Sequence, residues 1–461
     1  MEGVKSTKRA VLGDGAKMKS KMVIAVLATG ALFLSACTGV SDQSAPSTAG
    51  SLSRDASTSS VSASSAATVP ALRPTAPGAS SVTASASSTT TASSTPPATP
   101  TSSSPAAPAT PPVQWSFSPA ADAVDISPVE PVVVSVAAGS LVAVTMTNPN
   151  GIAVEGVLAA DSLSWKSTTP LGYGKTYAIA AVAVDAGGVQ VPQAYSFSTL
   201  TPRNKALTTA FPTDGMTVGV GQPIALFFDE GIADKAGVEK LISITSAPAN
   251  VVGAFYWMSD RQVNWRPQEY WPAGTAVEVA VTTYGRDLGN GIYGQADKKF
   301  SFTIGQSKIA TVDNNTHMMT VSVDGAVVKE MPVSLGTNKY PTYNGVHVVA
   351  EAYDKKIMDS STWGLVGAGA YRTEVLYATR ISSSGEFVHA APWSVWAQGS
   401  ENVSHGCVNV STENALWFYE NFGFGDIVDI RNTVGPPLQV WDGYGDWNVP
   451  WETYSQGGFR S

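Results

Sequence analysis

The chain has 461 residues, a net charge of -8, 42 glycines, 29 prolines and two cysteines. That length exceeds one hydrophobic core and points to roughly three domains; the acidic balance, with no basic block after the first 21 residues, speaks against nucleic acid as a partner. Two thiols leave no disulfide framework, although pairing them is formally possible, and abundant Gly, Pro and β-branched residues with little helical periodicity predict a mainly β fold.

The first segment carries Lys5, Lys8, Arg9, Lys17, Lys19 and Lys21, followed by an apolar run over residues 22–34. The run is shorter than the ~20 residues a spanning helix needs. It reads as the hydrophobic part of a secretory signal over residues 1–36. Its end, Leu34-Ser35-Ala36-Cys37, resembles a bacterial lipobox, in which small residues precede a cysteine that receives a diacylglycerol. The expectation is an extracytoplasmic protein held to the outer face of the cell membrane through lipidated Cys37. Ordinary cleavage after Ala36 is the alternative, and translation could begin at Met18 or Met22.

Residues 37–112 form the next unit, almost entirely Ser, Thr, Ala and Pro from position 41, with only Asp42, Arg54, Asp55 and Arg73 charged. Such a segment buries too little apolar area to offset its ordering entropy. A disordered tether reaching some tens of Å is expected, on coil statistics of ~5–6 Å × √n.

Two β modules follow, over residues 113–200 and 201–305, and look like diverged copies. The first opens on Phe117-Ser118-Pro119, continues through Val132-Val133-Val134-Ser135-Val136 and closes with Tyr195-Ser196-Phe197-Ser198-Thr199. The second opens on Phe211-Pro212, runs through Ile224-Ala225-Leu226-Phe227-Phe228 and closes with Phe300-Ser301-Phe302-Thr303. Their strand and turn pattern predicts immunoglobulin-like sandwiches. Spacing is their plain role; glycan binding through Trp257, Trp265, Tyr270 and Trp271 is the alternative to core packing. The loop from Asp287 to Gly291 offers one carboxylate, a poor calcium site, and reads as a turn.

The last domain spans residues 306–432. Thr320-Val321-Ser322-Val323, Asp324-Gly325 and Ala326-Val327-Val328-Lys329 predict a hairpin with a type I′ turn. Further strands are expected around Val346-His347-Val348-Val349, Gly385-Glu386-Phe387-Val388-His389 and Asp426-Ile427-Val428-Asp429-Ile430. Between the last two, Ser411 caps a predicted short helix with Ala415, Phe418, Tyr419 and Phe422 on one face, and Gly423 is placed to end it. The tail, residues 433–461, carries Trp441, Trp447 and Trp451 and is too aromatic to float free; packing back on the folded body is expected. His317 and His347 fall on strand positions and read as structural or exposed.

Once Cys37 is assigned to the lipobox, Cys407 in Ser404-His405-Gly406-Cys407-Val408-Asn409 is the remaining thiol. A free cysteine has pKa ~8.5 and supplies a few per cent of thiolate at neutrality, so a base must take its proton. His389 and His405 are the near candidates. Gly406 permits a tight turn before the sulfur, leaving backbone N–H groups for a developing oxyanion.

His389, eighteen positions before Cys407 in that motif, is similar to the HX(14–17)[S/T]HGChN signature of L,D-transpeptidases with a YkuD-type catalytic domain. The stretches Met358-Asp359-Ser360-Ser361-Thr362, Tyr371-Arg372-Thr373 and Ala391-Pro392-Trp393-Ser394 also resemble members with two immunoglobulin modules. The resemblance covers about residues 211–451 well, the first module less well. It implies two immunoglobulin-like sandwiches before a β-rich catalytic domain with a short helix after the cysteine. It also implies acyl transfer between peptidoglycan stem peptides without metal or cofactor. Cys407 would attack the L-centre carbonyl of diaminopimelate in a tetrapeptide donor and expel D-alanine; an acceptor amine would then form a 3→3 cross-link. Acylation by carbapenems is implied too.

Under the same resemblance His389 is the base, its second ring nitrogen oriented by the carbonyl at position 390, where Ala390 departs from members that carry serine. His405, Gly406 and Cys407 shape the oxyanion loop. Tyr371, Ser384, Gly385 and Asn409 match substrate-contacting positions, and Met358, Trp393 and Trp396 are candidates for the pocket and its lid or for plain packing. A zinc site from His389, His405 and Cys407 lacks the spacing of structural sites and a fourth ligand. Two rival functions stay open: an L,D-carboxypeptidase passing the acyl group to water, and an inactive wall-binding lipoprotein.

Overall fold

A computed structural model of the chain describes residues 111–248 and 251–459. The expected signal segment, Cys37 and the tether up to Thr110 lie outside the described residues. The described chain is mainly β: two immunoglobulin-like sandwiches, then a β-rich domain with a short helix.

In the first module one sheet runs Gln114–Ser118, Val133–Ala137, Ser164–Ser167, Gly156–Leu158, and the other Gly139–Thr147, Thr176–Asp185, Gln190–Ser198. Strand Thr176–Asp185 shows the cause, since Tyr177, Ile179, Ala181 and Ala183 are buried while Thr176, Ala178 and Ala180 face out. A period of two puts one face of each sheet into the shared core.

The second module repeats the plan, with one sheet ordered Met216–Val218, Lys298–Ile304, Ala276–Val281, Ile242–Ala247 and the other Gly253–Trp257, Gln262–Pro267, Ile224–Phe228, Thr208–Phe211. Trp257, Trp265 and Trp271 are buried in its core, and Tyr270 packs edge-on against Trp447 with ring centroids 4.5 Å apart. These four residues therefore serve packing and present no exposed sugar platform. The loop at Asp287 is a turn closed on itself, its carboxylate accepting the Gly289 N–H at 2.8 Å.

The last domain holds a five-stranded sheet, Ala326–Pro332, Met318–Val323, Lys308–Asp313, Ile427–Arg431, Gly345–Val348, and a four-stranded sheet, Glu351–Asp359, Arg372–Arg380, Phe387–Ala390, Val408–Val410. The hairpin forms at Asp324 (φ 49°) and Gly325 (φ 83°), both in the left-handed conformation a type I′ turn requires. Helix Thr412–Asn421 begins at Ser411, whose side chain accepts the Asn414 N–H, and it buries Ala415, Phe418 and Phe422 between the sheets. Each large apolar side chain so buried contributes about 1.5–3 kcal/mol. The helix does not end on a left-handed glycine as expected. Phe422 leaves it in an extended conformation, and the Gly423 N–H is taken by the Asp426 carboxylate at 2.8 Å.

Two contacts fix the last domain on the second module. The first is a backbone approach: Gly219 N–H donates to Phe424 O at 2.7 Å, and a Cβ on Gly219 would meet Asp426 N at 2.3 Å. No residue larger than glycine fits there. The second is the tail, whose Trp447 indole donates to Gly221 O at 2.7 Å while the Arg266 guanidinium lies over the rings of Trp447, Trp451 and Tyr454. Trp441, by contrast, is 68% exposed and takes no part in that packing.

Candidate active site

Strands Phe387–Ala390 and Val408–Val410 pair in parallel with His389 opposite Asn409. Side chains alternate along a strand. Val388, Ala390, Val408 and Val410 enter the core beneath the helix, so His389 and Asn409 project from the opposite face. Cys407, two residues before Asn409, falls on that face as well and packs with Phe387, Val375, Ala378 and Met358.

That face floors a cavity of about 240 Å³. Of the residues expected from sequence, Cys407, His389, Tyr371, Asn409, His405, Met358 and Trp393 line it. Ser384 does not: its hydroxyl pairs with Ser382 at 2.9 Å and its N–H donates to Asp442 at 2.8 Å, away from the cavity. Gly385 contributes its carbonyl, which accepts the Cys407 thiol at 3.8 Å. Trp396 stands outside the lining, 68% exposed, with its indole donating to the Trp393 carbonyl at 3.2 Å.

His389 is buried and its Nδ1 lies 2.9 Å from the Ala390 carbonyl oxygen. A carbonyl can only accept, so Nδ1 carries the proton and, in the neutral ring, Nε2 keeps its lone pair. Ala390 thus performs the orienting role without a hydroxyl. Burial, partly opposed by that backbone bond, pushes the imidazole pKa below its ordinary value. Burial also pushes the Cys407 thiol up to about 12, with the Glu386 carboxylate adding to the rise, and the Phe387 backbone and Arg380 working against it. The resting pair is therefore a neutral thiol and a neutral imidazole. No hydrogen bond joins them among the described residues.

The turn before the sulfur is held by Ser404, whose hydroxyl donates to the Cys407 carbonyl at 2.7 Å and accepts the Gly406 N–H at 3.1 Å. Gly406 sits at φ 119°, open essentially to glycine alone. Its N–H, expected among the oxyanion donors, is in this resting geometry already committed to Ser404. Freeing it requires the Ser404 hydroxyl to let go.

His405 is held by aromatic stacking. Its ring lies between Tyr340 and Tyr371, with centroids at 4.7 and 5.0 Å, and burial, followed by the nearby charge of Lys339, lowers its pKa. It serves as an aromatic wall of the cavity. Tyr371, on the other side of that wall, has its hydroxyl pKa raised by burial and then by Cys407, so it enters the site as a neutral donor. Asn409 is buried and its amide donates to Ser394 Oγ at 3.1 Å.

Sequence reasoning missed several contributors, Gly369 and Val403 in the cavity lining among them. Thr373 and Val375 line the cavity from strand Arg372–Arg380, and Tyr340 backs His405 from a distant loop. Strand alternation from Tyr371 would have found Thr373 and Val375, which sit at two-residue steps along it. Nothing local marks Tyr340.

Known proteins resemble this chain. A model of the bacterial Ig domain matches residues 123–287, spanning both modules, and one of the L,D-transpeptidase catalytic domain (YkuD) matches residues 307–430. The chain is 49% identical over 341 residues to L,D-transpeptidase 2 of Mycobacterium tuberculosis, covering 74% of this chain and 83% of that protein. It is 37% identical over 343 residues to L,D-transpeptidase 5 of the same species, covering 72% and 74%. A solved structure of L,D-transpeptidase 3 from M. tuberculosis in complex with a faropenem-derived adduct is similar at 33% identity and a TM-score of 0.41, over 49% of this chain and 97% of that one. With immunoglobulin-like modules ahead of a YkuD catalytic domain, this chain belongs to the L,D-transpeptidase family.

Proposed function

We propose that the protein forms 3→3 cross-links in peptidoglycan by ping-pong acyl transfer through a thioester on Cys407. In the first half-reaction the sulfur bonds to the L-centre carbonyl of diaminopimelate in a tetrapeptide donor. The amide C–N bond breaks, and the thiol proton reaches the departing D-alanine amine by way of His389 Nε2. In the second, the side-chain amine of an acceptor diaminopimelate attacks the thioester, the C–S bond breaks and a proton returns to sulfur. The observation that carries this reading is one register: Cys407 and an imidazole with its Nε2 lone pair open to the cavity stand on the same sheet face.

A neutral pair suits an amide substrate. Charge appears only as the tetrahedral intermediate forms, where loop N–H groups and the Tyr371 hydroxyl can meet it. A β-lactam presents the same sulfur with a strained acyl group, so carbapenem acylation of Cys407 belongs to the proposal. So does an extracytoplasmic location, with Cys37 lipidated and the Ser/Thr/Ala/Pro segment reaching from membrane to wall. Mass spectrometry of products from purified protein and disaccharide tetrapeptide tests the reaction: cross-linked dimers that vanish in Cys407→Ala support it. Tripeptide without dimer would assign an L,D-carboxypeptidase, and neither product would assign a wall-binding lipoprotein.

A further inference from the structure

Behind the Ser404–Cys407 turn lies a buried acid that the reaction above does not use. Glu386 Oε2 is 2.9 Å from Nε2 of His347, whose ring is fully buried. The other ring nitrogen, Nδ1, lies 3.0 Å from the Gly345 carbonyl oxygen and so must donate to it. A single proton is therefore shared between Nε2 and the carboxylate. Pairs like this are often no more stable than apolar residues of the same size, which makes a role in positioning worth seeking.

The geometry supplies one. Glu386 Oε1 accepts the Tyr343 N–H at 2.8 Å. The neighbouring Thr342 hydroxyl donates to the Gly406 carbonyl at 2.8 Å and accepts the Gly336 N–H at 2.9 Å. Two residues earlier, the Tyr340 ring stacks on His405 at 4.7 Å. A Cβ on Gly406 would come within ordinary contact distance of the Glu386 side chain, at 3.9 Å, and of the Pro341 carbonyl, at 4.0 Å, so both lie close to the turn. One carboxylate thus anchors the segment 340–343, and that segment holds the nucleophile turn by its backbone and by its histidine ring.

We propose that Glu386, locked by His347, is a positioning residue for acyl transfer: it fixes segment 340–343 so that the turn presents the Cys407 sulfur to the substrate carbonyl. It touches no reacting atom. The inference rests on Cys407 being the nucleophile.

The test is the time course of covalent labelling of the full chain by meropenem, followed by intact mass over a range of probe concentrations. Misplacing a nucleophile slows the chemical step, so Glu386→Ala is expected to lower the limiting rate about tenfold or more. Its half-saturating concentration should stay within about threefold, because Glu386 is not itself among the residues lining the cavity. Glu386→Gln keeps both hydrogen bonds, with its oxygen accepting from Tyr343 and its amide donating to a neutral His347, and should recover most of the loss. Thr342→Val removes the bond to Gly406 while leaving the buried pair intact, and should reproduce the slow limiting rate; it carries the test if Glu386→Ala fails to fold. A wild-type limiting rate in Thr342→Val or in folded Glu386→Ala, or Gln no better than Ala, would overturn the proposal. Labelling that persists in Cys407→Ser would instead overturn the nucleophile assignment beneath it.

Discussion

His389 lies directly opposite Asn409 in the parallel pairing of Phe387–Ala390 with Val408–Val410. That one register brings His389 and Cys407 to the same cavity, although eighteen positions of chain separate them. A slip of one residue would turn Cys407 into the core and Val408 into the cavity.

The protonation states give the pH dependence of acylation its sign. Burial holds the His389 pKa below its ordinary value and the Cys407 thiol far above its own, at about 12. The reactive form, neutral imidazole with neutral thiol, is lost only as pH falls low enough to protonate His389. Acylation by a carbapenem should therefore be level from about pH 7 to pH 9, through the ~8.5 at which a free thiol ionises. A pH series of labelling rates checks this; a rise following free-thiol ionisation would contradict it.

Ser404 ties the turn together with two hydrogen bonds, and Ser404→Ala removes both. Leaving the part-buried Cys407 carbonyl and the buried Gly406 N–H without that partner should cost about 1–3 kcal/mol of stability. Denaturant unfolding measures that loss, and labelling kinetics should show a slower chemical step, since the turn that aims the sulfur loosens.

The docked tail has its own pH signature. Burial raises Asp446 to about 6, opposed by hydrogen bonds from Asn264 and Tyr454 and by Arg266, whereas an unfolded aspartate titrates near ~3.9. The folded chain holds a proton there that the unfolded chain has released. This contribution to stability is greatest below the unfolded value and is lost as pH rises from about 4 to about 6. Unfolding measured across that window should show a shallower pH dependence in Asp446→Asn. Asp426, also raised by burial to about 6, contributes in the same direction and should leave a residual slope.

For the membrane anchor, the expected outcome is that Cys37→Ala moves the protein from the membrane fraction to the soluble fraction on cell fractionation. Retention in the membrane would refute lipidation at Cys37.

How far the sequence foretold this molecule depends on the range of the interactions concerned. The hairpin at Asp324-Gly325 and the Ser411 cap are local, governed by backbone conformations and one side chain, and both appear where the residues predict them. The cysteine motif was legible through its resemblance to the HX(14–17)[S/T]HGChN family signature. What escaped was set by distant chain: the Tyr340 stack on His405, the Glu386–His347 pair and the Ser384 contact with Asp442 each join segments that no pattern in the sequence brings together. Gly423 failed for a subtler reason. A carboxylate three residues on, Asp426, satisfies its N–H and removes the need for a left-handed turn.

The central claim is that Cys407 receives the acyl group of a stem peptide. Intact-protein mass after incubation with a tetrapeptide donor tests it most directly. The account predicts an adduct equal to the donor less D-alanine, located on Cys407 and absent from Cys407→Ala. A wild-type protein that consumes the donor with no adduct at that cysteine under rapid quenching, or an adduct that survives in Cys407→Ala, would contradict it.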